Sequence, residues 1–414
     1  MTAAVLSIGT ELTRGELVNS NAAWLAEQLT GLGFEVRDHL TVDDDIDRIV
    51  EALARLSREH SVIVSTGGLG PTTDDLTTEA VAKALGVQLV RDNASFERIA
   101  KFFASVGRTM AASNAKQADF PEGASVLLND QGTAPGFSIA IGKAQLFVMP
   151  GVPREMKHIF LERIVPRIAG LAERRSHQIH LRTFGLPESQ LGDALTGVES
   201  QFPGLTIGYR AGFPEIEIKL LTRAESAHAA EALAERAREE VMRRVGEVVF
   251  GDREDTFAGA VGRTLRDRGL TLGVAESCTG GMVGSMLTSV PGSSDYLLLD
   301  AVTYSNAAKS SVLGVSEEIL RAYGAVSEEC ATAMARGVLR VSGADLAVAV
   351  TGIAGPGGGT DEKPVGTVWI AAAGKGGAVF ARHFRMWGDR ERIRTLSAYT
   401  ALKMVQRLAV GREP

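Results

Sequence analysis

The chain has 414 residues, more than one hydrophobic core ordinarily supports, so two or three domains are expected. A hydrophobic fraction of 45% and a charged fraction of 23% are those of an ordinary globular protein, while a net charge of -6 and only 6% aromatic residues argue against direct nucleic-acid binding. The two cysteines, Cys278 and Cys330, form no metal-ligand or redox spacing, and no stretch of ~18 residues is both uncharged and predominantly apolar, so a cytoplasmic protein without a membrane anchor is expected.

Residues 1 to about 170 alternate short apolar runs with amphipathic segments: Val5 to Ile8, a helix over Asn21 to Leu32, Val36 to Val42, a helix over Ile46 to Arg58, then Val62 to Val64. A helix over Leu76 to Leu85 follows, and Leu146 to Met149 leads through Pro150-Gly151 into a last helix from Pro153 to about Ile168. This alternation predicts a parallel sheet with helices on both faces. The segment 174–250 reads as a smaller α+β module: strand (His180 to Phe184), helix (Pro187 to Leu195), hairpin (Leu205 to Leu221) and long charged helix (Ala224 to Val245). Ile216, Ile218 and Leu220 alternate with Glu215, Glu217 and Lys219, the pattern of a half-buried strand. The run from Phe250 to Asp255 is polar and turn-rich and is read as a joint before a third, α/β unit spanning 252–414.

In that third unit a strand ending at Ala275 is followed by Glu276-Ser277-Cys278-Thr279-Gly280-Gly281 and a helix. Ser277 therefore sits where the chain leaves a sheet for a helix N-terminus, whose free N–H groups are suited to a substrate oxyanion. It is either a helix cap or a nucleophile. The only histidine after residue 250 is His383, in an expected strand, so a serine nucleophile would need another base, and lysine is the known substitute. Lys309 falls in the first turn of the helix after Tyr304-Ser305-Asn306, where the helix dipole disfavours its charged form; the alternative is a solvated side chain. Thr351-Gly352 ends the strand Leu346 to Val350 at the same expected sheet edge, and Arg390, Arg392 and Arg394 open the last helix, where they meet a phosphate or water.

In the N-terminal region Glu11 follows the first strand, and Gly67-Gly68-Leu69-Gly70-Pro71-Thr72-Thr73-Asp74-Asp75 follows the third. Glycines at such a turn let backbone N–H groups approach a phosphate, and Glu11, Asp74 and Asp75 add oxygen ligands for Mg²⁺ or Mn²⁺; equally, the aspartates could only decorate a helix start.

Taken together, Ala275 to Gly281, Thr303 to Lys309, Thr351 to Pro356 and Lys363 to Val368 resemble the nicotinamide-nucleotide amidase domain at the end of the CinA (competence-damage-inducible protein A) family. Ile8 to Leu12, Asn19 to Asn21, Ser65 to Asp75 and Pro150 to Met156 resemble the N-terminal domain of the same family, itself similar to molybdopterin-binding proteins. The resemblance implies an α/β fold with three parts: a molybdopterin-binding-like domain (1–170), a KH-like α+β module (174–250) and an α/β amidase domain (252–414). It implies Ser277 as nucleophile, Tyr304 and Lys309 activating it, and Thr351 polarising or placing the amide. Gly280, Gly281, Gly352, Arg390 and Arg394 would bind the substrate, nicotinamide mononucleotide, with no cofactor. In the N-terminal domain Gly67, Gly68, Gly70 and Thr72 would bind ADP-ribose, hydrolysed with a divalent metal ion on Glu11, Asp74 and Asp75. Molybdopterin relatives typically carry threonine and arginine where Leu69 and Asp74 stand, a shift from cation to carboxylate that favours a metal-bound nucleotide diphosphate over a pterin. The competing readings are a molybdopterin-binding protein and an accessory factor in DNA uptake or recombination. The middle module has no Gly-x-x-Gly loop with basic flanks, so no RNA binding is inferred. A homodimer is expected.

Overall fold

Strands that are apolar on both faces belong in the middle of a sheet covered from both sides, and Ala3 to Leu6 and Val62 to Val64 have that composition. The computed structural model, which describes residues 1–414, places them there. Strands β1 (Thr2–Ile8), β2 (Glu35–Val42), β3 (Val62–Thr66), β6 (Ser125–Leu127), β7 (Gly136–Ile141) and β8 (Ala144–Met149) form one sheet in the order β2-β1-β3-β8-β7-β6. The pairs from β2 to β8 are parallel, but β8, β7 and β6 pair antiparallel, so the sheet is mixed and not wholly parallel as the alternation suggests. The tight Gly142-Lys143 turn between β7 and β8 forces the antiparallel return. β4 (Leu89–Arg91) and β5 (Asp119–Pro121) make a separate two-stranded ribbon, and a helix at Asn93–Ser105, capped by Asp92 on Ser95 N–H, adds to the elements read from sequence.

Separate hydrophobic clusters cover the two faces of this sheet, one built on Ile49, Leu53 and Leu56, the other on Leu25, Leu29 and Phe160. The expected helix from Pro153 to Ile168 is interrupted: it runs Pro153–Ile159, widens into a π-helical turn at Phe160–Ile164, and ends at Val165–Ile168. Pro166 explains the break, since it has no N–H to give the preceding turn.

Contact density divides the chain into two compact units, Met1–Gln178 with Glu199–Thr206 and Leu220–Arg238, and Ile179–Val198 with Ile207–Lys219 and Glu239–Pro414. The division runs through the middle segment, whose strands β9 (Arg175–Thr183), β10 (Leu205–Gly212), β11 (Glu215–Ala224) and β12 (Val249–Asp252) are ordered β10-β11-β9-β12. Two expectations change here. The run read as a joint contains β12, because Phe250 is buried and its ring packs 5.2 Å from that of Phe257. Glu215 and Glu217 are also buried and do not face water. Glu215 receives hydrogen bonds from Arg182 and, at 2.7 Å, from the Tyr399 hydroxyl, while Glu217 pairs with His180 at 2.9 Å and Arg210 at 2.8 Å.

The last sheet comprises β13 (Leu272–Glu276), β14 (Leu297–Val302), β15 (Leu346–Gly352), β16 (Thr367–Gly374) and β17 (Val379–Arg385), ordered β14-β13-β15-β16-β17. β14, β13 and β15 are parallel, so their carboxyl ends share one edge; β16 and β17 return antiparallel. Helices Phe257–Asp267 and Arg390–Ala409 cover one face through Val261, Leu265, Ala401 and Leu402, and helix Glu328–Ser342 covers the other through Met334 and Val338. A short helix at Glu317–Ala322, capped by Ser316, adds to the elements read from sequence. No helix is long and apolar enough to cross a membrane.

Candidate active site and phosphate-binding cavity

β13 ends at Glu276 and β15 at Gly352, and the turns leaving them meet the turn after β14 at the shared edge. Ser277, first in its turn, is fixed by its N–H on the Val350 carbonyl at 3.0 Å, and Gly280 N–H closes the turn on the Ser277 carbonyl at 3.1 Å. Ser305 caps the helix Asn306–Leu313 on Ala308 N–H, which sets Lys309 in its first turns and fully buries it. Lys309 Nζ lies 3.0 Å from Ser277 Oγ, 2.8 Å from the Thr303 carbonyl and 3.3 Å from the Tyr304 carbonyl.

Burial pushes the Lys309 ammonium below its ordinary pKa, because a charge there gives up its hydration. In the neutral amine the two N–H bonds satisfy the two carbonyls, leaving the nitrogen lone pair to accept from Ser277 O–H. This is the geometry of a serine with a lysine base, and burial, more than the helix dipole, favours it. Cys278, beside the serine, is buried with its thiol pushed up to about 12, so it is held as the unreactive thiol.

Ser277, Tyr304, Lys309, Thr351, Gly352 and Arg390 line one cavity of about 270 Å³. Other residues expected at this site are placed differently. Gly280 and Gly281 do not line the cavity, and two of the N–H groups at the helix start are engaged: the buried Glu276 carboxylate accepts from Gly281 and Gly284 N–H, each at 2.9 Å. Glu276 therefore caps the helix Met282–Thr288, and neither Ser277 nor Thr279 does. Arg394 is also outside the cavity, donating to the Thr279 carbonyl at 2.7 Å. Thr351 Oγ1 donates to the Ala325 carbonyl at 2.7 Å, so it is free to accept from a substrate amide N–H but not to polarise the amide oxygen. Tyr304 offers Lys309 its backbone carbonyl, whereas its exposed phenol meets Arg390 Nη2 at 3.2 Å. A phenol there cannot relay a proton between Lys309 and Ser277. Arg390, held by its other nitrogen on the Gly355 carbonyl at 2.7 Å, is the guanidinium at the cavity rim.

Arg390→Ala should raise KM for a phosphate-bearing substrate ~10- to 100-fold with little change in kcat, as loss of a charge-assisted contact to the phosphate predicts. Tyr304→Phe should do the same more weakly. Measured kcat and KM for the two variants check this; a collapse of kcat in Tyr304→Phe would restore the phenol to the chemistry.

In the N-terminal unit Glu11, Gly67, Gly68, Gly70, Asp74 and Asp75 all line a cavity of about 600 Å³ at the carboxyl ends of β1 and β3. Gly67 has φ +111°, and a Cβ there would lie 2.0 Å from the Ile8 carbonyl oxygen, so only glycine allows this turn. The carboxylates are less uniform than expected. Asp75 accepts from both the N–H (2.8 Å) and the hydroxyl of Thr72, locking the turn, and Thr72 itself does not line the cavity. Thr72 and the backbone also hold the exposed Asp74 carboxyl below its usual range. Glu11, Asp74 and Asp75 do not gather their oxygens within 4.8 Å; the one cluster that does is Asp38, Glu59 and His60, on a different part of the unit. Sequence reasoning also missed Asp44, which lines the cavity and accepts from Thr10 N–H at 2.7 Å, and Lys116, which donates to the Thr72 and Asp75 carbonyls at 2.8 Å.

Comparison with known proteins matches all three parts of the chain. Residues 4–170 match the model described as a probable molybdopterin binding domain, 178–251 the damage-inducible protein CinA KH domain, and 254–409 the CinA C-terminal domain. A CinA-like protein of Desulfosudis oleivorans is 45% identical over 98% of this chain and 99% of its own length. The chain belongs to the CinA family. This CinA-family protein is also 43% identical to a CinA-like protein of Geobacter sulfurreducens, over 98% of this chain and 99% of that one. A putative competence-damage inducible protein of Symbiobacterium thermophilum is 42% identical, over 99% of each. Among solved structures, the competence/damage inducible protein CihA from Agrobacterium tumefaciens is 45% identical, covering 37% of this chain and 93% of that chain, with a TM-score of 0.36.

Proposed function

We propose that the C-terminal site hydrolyses the carboxamide of nicotinamide mononucleotide to nicotinic acid mononucleotide and ammonia, and that the N-terminal cavity takes ADP-ribose. The observation that supports the amidase reading best is the 3.0 Å approach of a buried, desolvated Lys309 amine to Ser277 Oγ within a cavity. Ser277 Oγ attacks the carboxamide carbon as its proton passes to Lys309 Nζ. The C–N bond breaks, the leaving nitrogen takes that proton and departs as ammonia, and a nicotinoyl ester remains on Ser277. Lys309 then takes a proton from water as the water oxygen attacks the ester, and returns it to Ser277 Oγ. Thr351 accepts an amide N–H, and Arg390 meets the phosphate.

Full-length protein incubated with nicotinamide mononucleotide should release ammonia and nicotinic acid mononucleotide in equal amounts. Consumption of the nucleotide without ammonia, or no consumption at all, would overturn the reading.

For the N-terminal cavity, the Gly67-Gly68 turn suits a diphosphate. A small divalent cation is ordinarily held by one or two carboxylates plus substrate phosphates and not by a complete protein cage. Glu11 and Asp74 fit that pattern, whereas Asp75 is engaged by Thr72. Such a cation would neutralise the diphosphate and make its phosphorus more electrophilic. Chelation should stop ADP-ribose hydrolysis and leave ammonia release unchanged, since the amidase proposal uses only side chains. Equal sensitivity of the two activities to a chelator would contradict this division.

A further inference from the structure

Glu276 is fully buried at the end of β13, directly before Ser277, and its carboxylate holds both Gly281 and Gly284 N–H at 2.9 Å. It thereby pins the far end of the turn whose near end is pinned by Ser277 N–H on Val350. Asp300 projects from the neighbouring strand β14 into the same place: a Cβ on Gly284 would lie 2.0 Å from Asp300 Oδ2, so the helix Met282–Thr288 can rest on this carboxyl only because residue 284 is glycine. Asp300 hydrogen-bonds to Glu276, and its other oxygen, Oδ1, is buried without a partner. Two carboxyl groups in contact need one proton between them, and no cation compensates. The helix above carries no titratable side chain, and the charged groups on the other elements against β14, Asp295 before it and Glu328, Glu329, Arg336 and Arg340 on the helix Glu328–Ser342, do not act on Asp300.

We propose that Asp300 and Glu276 form an acid–carboxylate pair that positions the Ser277 turn, and that loss of their shared proton loosens the turn and depresses turnover at alkaline pH. Burial first, and then the Glu276 charge and hydrogen bond, raise Asp300 to about 7. Below that pH the protonated Asp300 donates to Glu276, leaving the carboxylate free to cap the helix. Above it, the buried Glu276 anion and the half-buried Asp300 anion repel across the base of the turn. Asp300 and Glu276 are positioning residues here, acting through Ser277.

The inference rests on the amidase reading for its kinetic consequence but not for its structural one, so both are measured on the full chain. In ammonia release from nicotinamide mononucleotide, the wild type should lose activity through an apparent pKa near 7 on the alkaline side. Asp300→Asn, which keeps a donor to Glu276 at every pH, should abolish that limb and be severalfold more active at pH 9. Glu276→Gln, which cannot accept from both glycine N–H groups and Asp300, should be poorly active throughout. The melting temperature gives a readout independent of turnover. A pKa raised on folding contributes stability that is fully present below the unfolded value of 3.8 and is lost as pH rises through about 7. The melting temperature of the wild type relative to Asp300→Asn should therefore fall across that window and stay flat above it. If Asp300→Asn does not fold, Asp300→Ser, which also retains a donor, takes its place. An unchanged alkaline limb in the variant, or a melting difference that does not vary with pH, would overturn the proposal. Absence of ammonia in every arm, with the melting difference still following pH, would overturn only the amidase reading.

Discussion

Lys309→Arg should lower kcat/KM for ammonia release by ~10³-fold, because arginine keeps a positive charge but does not give up a proton near neutral pH. The wild-type amine is buried against the Thr303 and Tyr304 carbonyls and is pushed below its ordinary 10.5 by the loss of hydration. Activity at limiting substrate should accordingly rise with pH through an apparent pKa below 10.5, as the neutral amine becomes available. That limb is read most cleanly in the Asp300→Asn background, where the acid pair no longer titrates. Lys309→Arg should lack it. A guanidinium is bulkier than an ammonium in a fully enclosed site, so Lys309→Met serves as the companion variant: it is apolar, similar in length, and leaves no buried charge. Most of the turnover surviving in both variants would make the lysine a binding group and require another base.

Ser277→Ala should abolish ammonia release, a loss of at least ~10³-fold, while leaving melting nearly unchanged. The serine is small, its backbone bonds to Val350 and Gly280 do not involve its hydroxyl, and Lys309 Nζ keeps both carbonyl partners when Oγ is removed. Cys278 does not replace it, since a buried thiol pushed up to about 12 supplies almost no thiolate at neutral pH. Ammonia release and calorimetric melting of the purified variant check the two halves of this prediction separately; a large drop in melting temperature would shift the explanation from chemistry to folding.

What could be read from sequence follows the physics of each element. The parallel strands β1, β3, β13 and β15 are enclosed on both faces, so their apolar runs stand out from any neighbouring segment. The motifs carrying Ser277 and Thr351 each follow such a strand, the one carrying Lys309 follows the partly exposed edge strand β14, and parallel pairing brings all three to one edge. The antiparallel return of β7 and β6 was hidden because strands of three to six residues give too few alternations to count. Phe250 was hidden by the polar run that follows it, since its packing partner Phe257 lies across a turn. Glu215 and Glu217 read as a solvated face because their pairing cations, Arg182, His180 and Arg210, come from other strands. The same holds at the active site. No local pattern announces that Glu276 caps the helix after Ser277, that Asp300 leans on Gly284, or that Tyr304 turns its phenol away to Arg390. The Glu276 cap spans only five and eight residues but follows no standard capping spacing, and the other two depend on which atoms long-range folding brings within reach.

The most direct test of Ser277–Lys309 catalysis is the fate of the acyl group when hydroxylamine competes with water during turnover of nicotinamide mononucleotide by the full-length protein. A nicotinoyl ester on Ser277 should partition between the two nucleophiles: the hydroxamate of the nucleotide should rise with hydroxylamine concentration, and hydroxamate plus nicotinic acid mononucleotide should together equal the ammonia released, all of it lost in Ser277→Ala. Ammonia release with no hydroxamate at any hydroxylamine concentration, or hydroxamate formed equally well by Ser277→Ala, would contradict covalent catalysis by this serine.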